Sequence, residues 1–365
     1  MSAFCGNLRV DLTAIRENYR ILDARTAPSC ETAAAVKADA YGLGAIPCAK
    51  ALYEAGCRTF FVATPEEGAE LRPHLPEHAA IAILHGYDAS YHNEYKNFHL
   101  VPVLNSLPQI EQYAGSVNKG PAILHFDTGM NRLGLEKSEA DSLIENRSLL
   151  EKLKILLVMS HLASSEEPAN PKNTEQAERF LKITKKYQGT RRSLCNSSAI
   201  FTDNSWHLDL TRPGMALYGL NPTPESKNPM QRVVTLDAPV LQVRKAGSGE
   251  TAGYNATYRI EKKTRLAVVG IGYADGFLRS LGNAGKLYWK GYSLPVSGRV
   301  SMDLVICDLT AVPEPELPVP GDRLEIIGPN QSADELAKTA GTIGYEILTA
   351  LGKRYKRTYT DNRVY

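Results

Sequence analysis

Through the first part of the chain, apolar positions fall in short runs rather than in long periodic stretches. They occupy 33–36, 59–63, 80–84, 100–104, 121–126, 154–159, 192–195 and 207–211. Between most of these runs lie segments that read as helices, at 46–56, 65–72, 107–114, 138–150 and 173–187. Short continuous apolar runs suit strands buried on both faces, as in a parallel sheet. Strand and helix signals in alternation argue for βα units, and eight of them predict a closed (β/α)8 TIM barrel. A doubly wound open sheet is the alternative, but no Gly-x-Gly-x-x-Gly follows the first strand. Ahead of the series, residues 8–12 form a possible strand. A helix follows from about Thr13, with Ile15, Tyr19, Ile21 and Leu22 near helical spacing.

The pattern changes at Asn221-Pro222-Thr223-Pro224-Glu225-Ser226-Lys227-Asn228-Pro229, where prolines with polar spacers read as a linker. Beyond it, apolar and β-branched segments at 232–236, 239–246, 265–269, 286–290, 293–300, 303–309 and 323–327 have no long helical pattern between them. One helix signal lies at about 332–340. The expectation is a barrel domain over 1–228 and a mostly-β C-terminal domain over 229–365.

Composition narrows the function without choosing it. With 42 basic and 40 acidic residues the formal net charge is +2, and no basic tract interleaved with aromatics marks a nucleic-acid footprint. No apolar run approaches the roughly 20 residues that span a bilayer, so no membrane partner is expected. The N-terminus lacks a charged stretch followed by an apolar one and predicts no export signal. Six cysteines are scattered with no Cys-x-x-Cys, which argues against zinc and for free thiols in a reducing cytoplasm. No metal site is expected.

Candidate chemistry gathers after the predicted strands. Ala33-Ala34-Ala35-Val36 ends in Lys37, followed by Tyr41, Gly42 and Gly44. A lysine in an apolar pocket loses basicity and gains nucleophilicity, which suits a Schiff-base lysine; the alternative is a lysine that snorkels out of the strand end. Asp127-Thr128-Gly129-Met130-Asn131-Arg132, Ser160-His161, Asn196-Ser197-Ser198 and Arg212-Pro213-Gly214-Met215 each follow another strand. Barrel enzymes carry their catalytic groups at that end.

These stretches, in order, resemble the alanine racemase family. Ala35-Val36-Lys37-Ala38-Asp39-Ala40-Tyr41-Gly42-Leu43-Gly44 resembles the family's pyridoxal-phosphate signature, and Tyr254-Asn255-Ala256-Thr257-Tyr258 is the other specific motif. Ile271-Gly272-Tyr273-Ala274-Asp275-Gly276, Gly298-Arg299-Val300-Ser301-Met302-Asp303 and Thr342-Ile343-Gly344-Tyr345-Glu346 match as well. The resemblance implies a barrel and a C-terminal β domain in a head-to-tail homodimer, each active site pairing one barrel with the partner's β domain. It also implies that residues 8–12 belong with the C-terminal domain. Pyridoxal 5'-phosphate would be carried by Lys37, with Lys37 and Tyr254 as acid/base groups on opposite faces of the substrate. His161 would assist Tyr254 and contact Arg212, and Arg212 would face the pyridine nitrogen. Tyr41, Ser197 and Tyr345 would hold the phosphate, with backbone N–H groups of Ser197, Gly214 and Met215. Arg132 and Met302 would bind the substrate carboxylate. Tyr258, Tyr273 and Arg279 would line the entry corridor. The implied reaction is interconversion of L- and D-alanine, supplying D-alanine for peptidoglycan.

One position departs from the pattern. Many family members carry a carboxylated lysine seven residues before the arginine equivalent to Arg132; here that position is His125. Ser301, where a cysteine is common, is a milder change. The competing readings are a broad-specificity serine or lysine racemase, a related barrel decarboxylase and a non-catalytic carrier of the cofactor. Decarboxylases place a carboxylate at the pyridine nitrogen and a cysteine opposite the lysine, whereas this chain offers Arg212 and Tyr254. The carrier family lacks a second domain.

Overall fold

The computed structural model describes residues 5–361, which divide into two compact units. One comprises Ala14–Gln231; the other joins the chain before Ala14 to the chain from Arg232 on.

In the first unit, parallel strands Ala34–Ala35, Thr59–Val62, Ala80–Ile83, Leu100–Leu104, Ala122–His125, Ile155–Met159 and Arg191–Ser193 lie side by side in chain order. The eighth strand, Leu210–Thr211, pairs with Glu31–Thr32. It also meets the seventh: Asp209 N–H donates to Arg192 O at 3.1 Å and Arg212 N–H to Cys195 O at 2.9 Å. These bonds close the ring. The first strand therefore starts at Glu31, earlier than the apolar run at 33–36 indicates. Its first half bonds the eighth strand and its second half the second strand, so it is interrupted at Ala33.

Alternate residues of the strands fill the interior, small against large: Ala33, Ala35 and Ala82 with Phe61, Val103, Ile123 and Met159. Between the strands, helices start where the sequence supplies caps. Thr64 Oγ1 accepts the Glu67 N–H with Pro65 next in line, and Asn170 Oδ1 accepts the Lys172 N–H ahead of Pro171. The unit runs on past the proline-rich segment to Gln231 instead of ending at 228. Asn18, fully buried, bonds both the N–H (2.6 Å) and the carbonyl (2.9 Å) of Gln231 and so holds that stretch to the barrel.

The second unit is built on an eight-stranded sheet. Strand Asn7–Asp11 lies between Val234–Ala246, antiparallel, and Lys356–Thr360, parallel. The sequence indicates two strands, 232–236 and 239–246; the structure has one strand of 13 residues. Its register shifts at Leu236/Asp237 and at Val240/Gln242, and irregularities of this kind let a strand carry Pro239 without breaking. Asp237 is mostly buried and pairs with Arg9 at 3.0 Å and with Arg323. A short hairpin (Thr251–Ala252 with Tyr258–Arg259), a helix at Gly344–Thr349 and the last strand lie outside the sequence-derived scheme.

Candidate active site

Lys37 stands where the first barrel strand ends, and the backbone beyond it turns the unusual way. Ala38, Asp39, Ala40 and Tyr41 all have positive φ (52°, 54°, 52° and 56°). Each such non-glycine residue costs roughly 1–2 kcal/mol, so a left-handed turn of four persists only where its surroundings over-determine it. Here they do. Gly42 and Gly44 continue at φ 82° and 101°, Asp39 Oδ1 accepts the Ala45 N–H at 2.7 Å, and Glu67 Oε1 accepts the Ala38 N–H at 2.7 Å. Burial, then the nearby Arg132 guanidinium, push the Lys37 amine below the usual lysine range, while Glu67 opposes them. A less basic lysine is a better nucleophile near neutrality.

Arg212 follows the eighth strand, the neighbour of the first, at the barrel mouth. It is buried (6 % exposed), and burial pushes it down to about 10. Nη1 donates to Ser193 Oγ, and Nη2 to the Ser160 and Leu194 carbonyls. All its partners are neutral, and its Nε has no hydrogen-bond partner among the described residues. His161 is drawn well below the usual histidine range by burial and by Arg212, Arg132, His125 and Lys37. Its ring makes no hydrogen bond to Arg212; the contact with that arginine goes through the preceding residue's carbonyl. Buried Gln176 fixes the His161 segment, donating to His161 O at 2.9 Å and accepting the Ala163 N–H at 2.8 Å.

His125 ends the strand Ala122–His125 and is 7 % exposed. Its Nδ1 lies 2.8 Å from Asn105 Oδ1. Burial first, then Arg212, push it down to about 3, so it is neutral. Arg132 is exposed and forms no ion pair among the described residues. Lys37, Arg132 and Arg212 thus bring three cationic groups to one end of the barrel, where the nearby carboxylates are Glu67 and Asp127. Such a site attracts anions.

A second feature of the mouth is room. At Gly214 a Cβ would lie 2.3 Å from Tyr41 Oη and 3.3 Å from Ala35 Cβ. Ser197 Oγ accepts the Gly214 N–H at 2.9 Å and the Ala216 N–H at 3.3 Å, which puts Tyr41, Ser197 and Gly214 at one place, with Met215 next in the chain. Tyr41 stacks on Tyr218 with ring centres 4.9 Å apart, and burial pushes its hydroxyl up to about 12. The orphan Nε of Arg212 can meet a ring nitrogen acceptor, and the hydroxyl and glycine cluster can meet a phosphate. These residues fit pyridoxal phosphate.

The remaining candidates lie in the second unit. Tyr254 is 67 % exposed on a short turn where Gly253, Asn255 and Ala256 have positive φ. Met302 is 54 % exposed, and its carbonyl accepts the Ala274 N–H at 3.0 Å, tying its loop to Tyr273. A Cβ on Gly272 would meet Met302 O at 2.2 Å, so glycine is required for that approach. Tyr258 donates to Asp308 Oδ2 at 3.1 Å, and Tyr345 lies half-buried on the helix Gly344–Thr349. The sequence reading passed over three residues: Glu67, Asn105 and Gln176. Asn105 directly follows an apolar strand run, the same signal that marks Lys37 and Arg212.

Comparison with known proteins gives the arrangement a family. Residues 10–222 match the profile described as alanine racemase, N-terminal domain, and residues 233–359 that of the alanine racemase C-terminal domain. The chain belongs to the alanine racemase family. An alanine racemase of Acidiphilium cryptum is 47 % identical over 353 residues, 96 % of this chain and 97 % of its own. That of Rhodospirillum rubrum is 45 % identical over 356 residues, 96 % of this chain and 95 % of its own. Among solved structures, the alanine racemase from Bartonella henselae with covalently bound pyridoxal phosphate superimposes with a TM-score of 0.93 at 41 % identity, over 98 % of this chain and 99 % of that one. The biosynthetic alanine racemase from Pseudomonas aeruginosa gives 0.90 at 33 % identity, over 98 % and 99 %. Both family domains and the barrel-plus-β architecture therefore stand as expected from the sequence.

Proposed function

We propose that this chain is an alanine racemase, an isomerase that interconverts L- and D-alanine with pyridoxal phosphate. The observation that carries the reading is Arg212, buried with neutral partners and an unbonded Nε at the mouth that Lys37 faces. A guanidinium there stays charged and cannot accept a proton from the cofactor ring, unlike a carboxylate. That choice restrains electron withdrawal and suits proton exchange at one carbon over transamination or decarboxylation. The cofactor would be held by Lys37, Tyr41, Ser197, Gly214, Met215, Arg212 and His161, with Tyr345 completing the phosphate site. When bound, it supplies an electron sink that acidifies the substrate's α-carbon.

The chain's own residues supply the rest. Arg132 and the Met302 backbone bind and orient the alanine carboxylate. Lys37, its basicity lowered by burial, holds or takes a proton at Nζ on one face. Tyr254 does the same at Oη on the other face, and inversion needs that opposition. Neutral His161 lies beside Arg212 as an acceptor that can assist the tyrosine.

The same reading makes the active enzyme a homodimer, with Tyr254 and Met302 completing the partner's site. Its support is the exposure of Tyr254, Tyr273, Met302 and Leu304 on the second unit, where groups of this size need a covering surface. Six free cysteines, five of them buried, suit a reducing cytoplasm, where the product would serve peptidoglycan synthesis. The test is turnover of L-alanine, L-serine and L-lysine with added cofactor, in the wild type and in Tyr254→Phe. Racemisation of alanine, reduced about 100-fold or more in the variant, is expected. Release of carbon dioxide from a basic amino acid without alanine racemisation overturns the reading.

A further inference from the structure

We infer that Glu67 is a positioning residue for Lys37: its carboxylate bridges the N–H groups of Ala38 and Ala63, locks the left-handed turn that presents the amine, and leaves a negative charge beside it. The inference rests on the assignment of Lys37 made above. Glu67 lies in the first turn of the helix Pro65–Leu71, which follows the second barrel strand. Oε1 accepts the Ala38 N–H and Oε2 the Ala63 N–H, both at 2.7 Å. Ala38 is the residue after Lys37, and Ala63 is the residue after the strand Thr59–Val62. One carboxylate thus ties together the C-terminal ends of two adjacent strands.

Ordinary helix capping does not account for this. Thr64 already caps the helix through its own hydroxyl, at 3.3 Å from the Glu67 nitrogen. A capping-box glutamate would return to the N–H of the cap residue itself. Glu67 instead bonds one residue upstream and spends its other oxygen on a different strand. Both oxygens are committed to backbone donors, which fixes the carboxylate in place. The turn it holds has four successive residues at positive φ, a run that alanine and tyrosine do not select and that aspartate adopts only singly. Asp39 secures the other end of the turn through the Ala45 N–H.

The charge has its own consequence. Lys37 faces Arg132 from the segment after the strand Ala122–His125 and neutral His161 from the segment after Ile155–Met159; Glu67 is the anion on its near side. Burial and Arg132 favour the neutral amine, and Glu67 favours the ammonium. An amine that must both attack and carry a proton needs that balance.

Glu67→Gln and Glu67→Asp in the full chain separate the two roles. Glutamine keeps the length but loses the charge and one acceptor; aspartate keeps the charge but is too short to bridge. Amide hydrogen exchange reads the clamp. The pH dependence of Lys37 acylation in the cofactor-free chain, followed by peptide mass spectrometry, reads the charge. In Glu67→Gln we expect exchange at Ala38 and Ala63 to accelerate about tenfold or more while the other barrel amides hold. The acylation midpoint should move down by about one pH unit in Glu67→Gln and much less in Glu67→Asp. The racemase kcat should fall about tenfold with KM for alanine nearly unchanged. Unchanged exchange and an unchanged acylation profile in Glu67→Gln overturn the proposal. So does rapid exchange of the Ala38 amide in the wild type, a measurement that needs no variant to fold. Borohydride reduction of the cofactor-loaded wild type checks the underlying assignment separately: a cofactor fixed to another lysine refutes that assignment and leaves the acylation shift standing.

Discussion

Asn105 and His125 face each other across two neighbouring barrel strands, with Asn105 Oδ1 2.8 Å from His125 Nδ1. The other end of the amide is committed, since Asn105 Nδ2 donates to Leu84 O at 2.9 Å and a carbonyl can only accept. The imidazole therefore carries its proton on Nδ1 and offers a lone pair at Nε2. A strongly desolvated neutral histidine has a thermodynamic signature. Its folded value is about 3, against 6.5 for the exposed side chain. Between those values the unfolded chain binds a proton that the folded chain refuses, so stability rises with pH there and is lost as pH falls from about 6.5 toward 3. The slope reaches at most about 1.4 kcal/mol per pH unit for this one group. His161, shifted the same way, adds to it. Thermal melting across pH 4–8 should show the decline, and His125→Asn should flatten it. An equal slope in that variant would show that His125 contributes nothing.

His125 stands where the family resemblance puts a lysine that orients the equivalent of Arg132. A histidine cannot form the carbamate that the resemblance implies for a lysine at this position. The wild-type racemase rate should therefore be the same in buffer stripped of carbon dioxide and in buffer with added bicarbonate, while His125→Lys should acquire a bicarbonate dependence. A crystal structure with a carboxylated lysine bonded to Arg132 would contradict this.

Gly214→Ala tests the phosphate cradle. The added methyl would sit 2.3 Å from Tyr41 Oη, and Tyr41 cannot withdraw freely because it stacks on Tyr218. We expect cofactor affinity to fall about tenfold or more, roughly 1.4 kcal/mol, with little change in far-UV circular dichroism. Cofactor titration followed by absorbance measures it, and unchanged affinity would remove Gly214 from the cradle.

Lys37→Ala should abolish both turnover and the borohydride-reducible attachment of cofactor. Peptide mapping after reduction of the wild type should place the label on the peptide containing Lys37. A label elsewhere would reassign the anchoring lysine.

The barrel was legible because strands such as Thr59–Val62, Leu100–Leu104 and Ala122–His125 are buried on both faces and so announce themselves as apolar runs. The catalytic candidates were legible for a related reason, since a polar residue directly after such a run lies at the mouth. Asn105 obeys that rule as well as Lys37 does, yet an amide carries no chemistry of its own to draw notice. The turn at 38–41 was not legible at all. In Ala-Asp-Ala-Tyr only the aspartate readily tolerates positive φ, and the run of four is held by a carboxylate on another βα unit. Glu67 reads locally as a capping glutamate after Thr64, and only the three-dimensional fold reveals its second bond. In the β unit the local pattern indicates two strands, 232–236 and 239–246, but the bulges that join them around Pro239 depend on cross-strand partners that pattern does not contain.

The strand Asn7–Asp11 sits between Val234–Ala246 and Lys356–Thr360, with Asn7 opposite Lys356. A ribosome makes that strand about 350 residues ahead of its outer neighbour. At about 5–20 residues per second, the early strand waits on the order of 20–70 s for its final partner. The barrel sequence is completed within that interval and can fold on the ribosome as a unit. The β unit cannot close until Lys356–Thr360 has been made, so a stall before that strand would leave a finished barrel trailing an open sheet edge, the kind of exposed template that recruits other chains into aggregates.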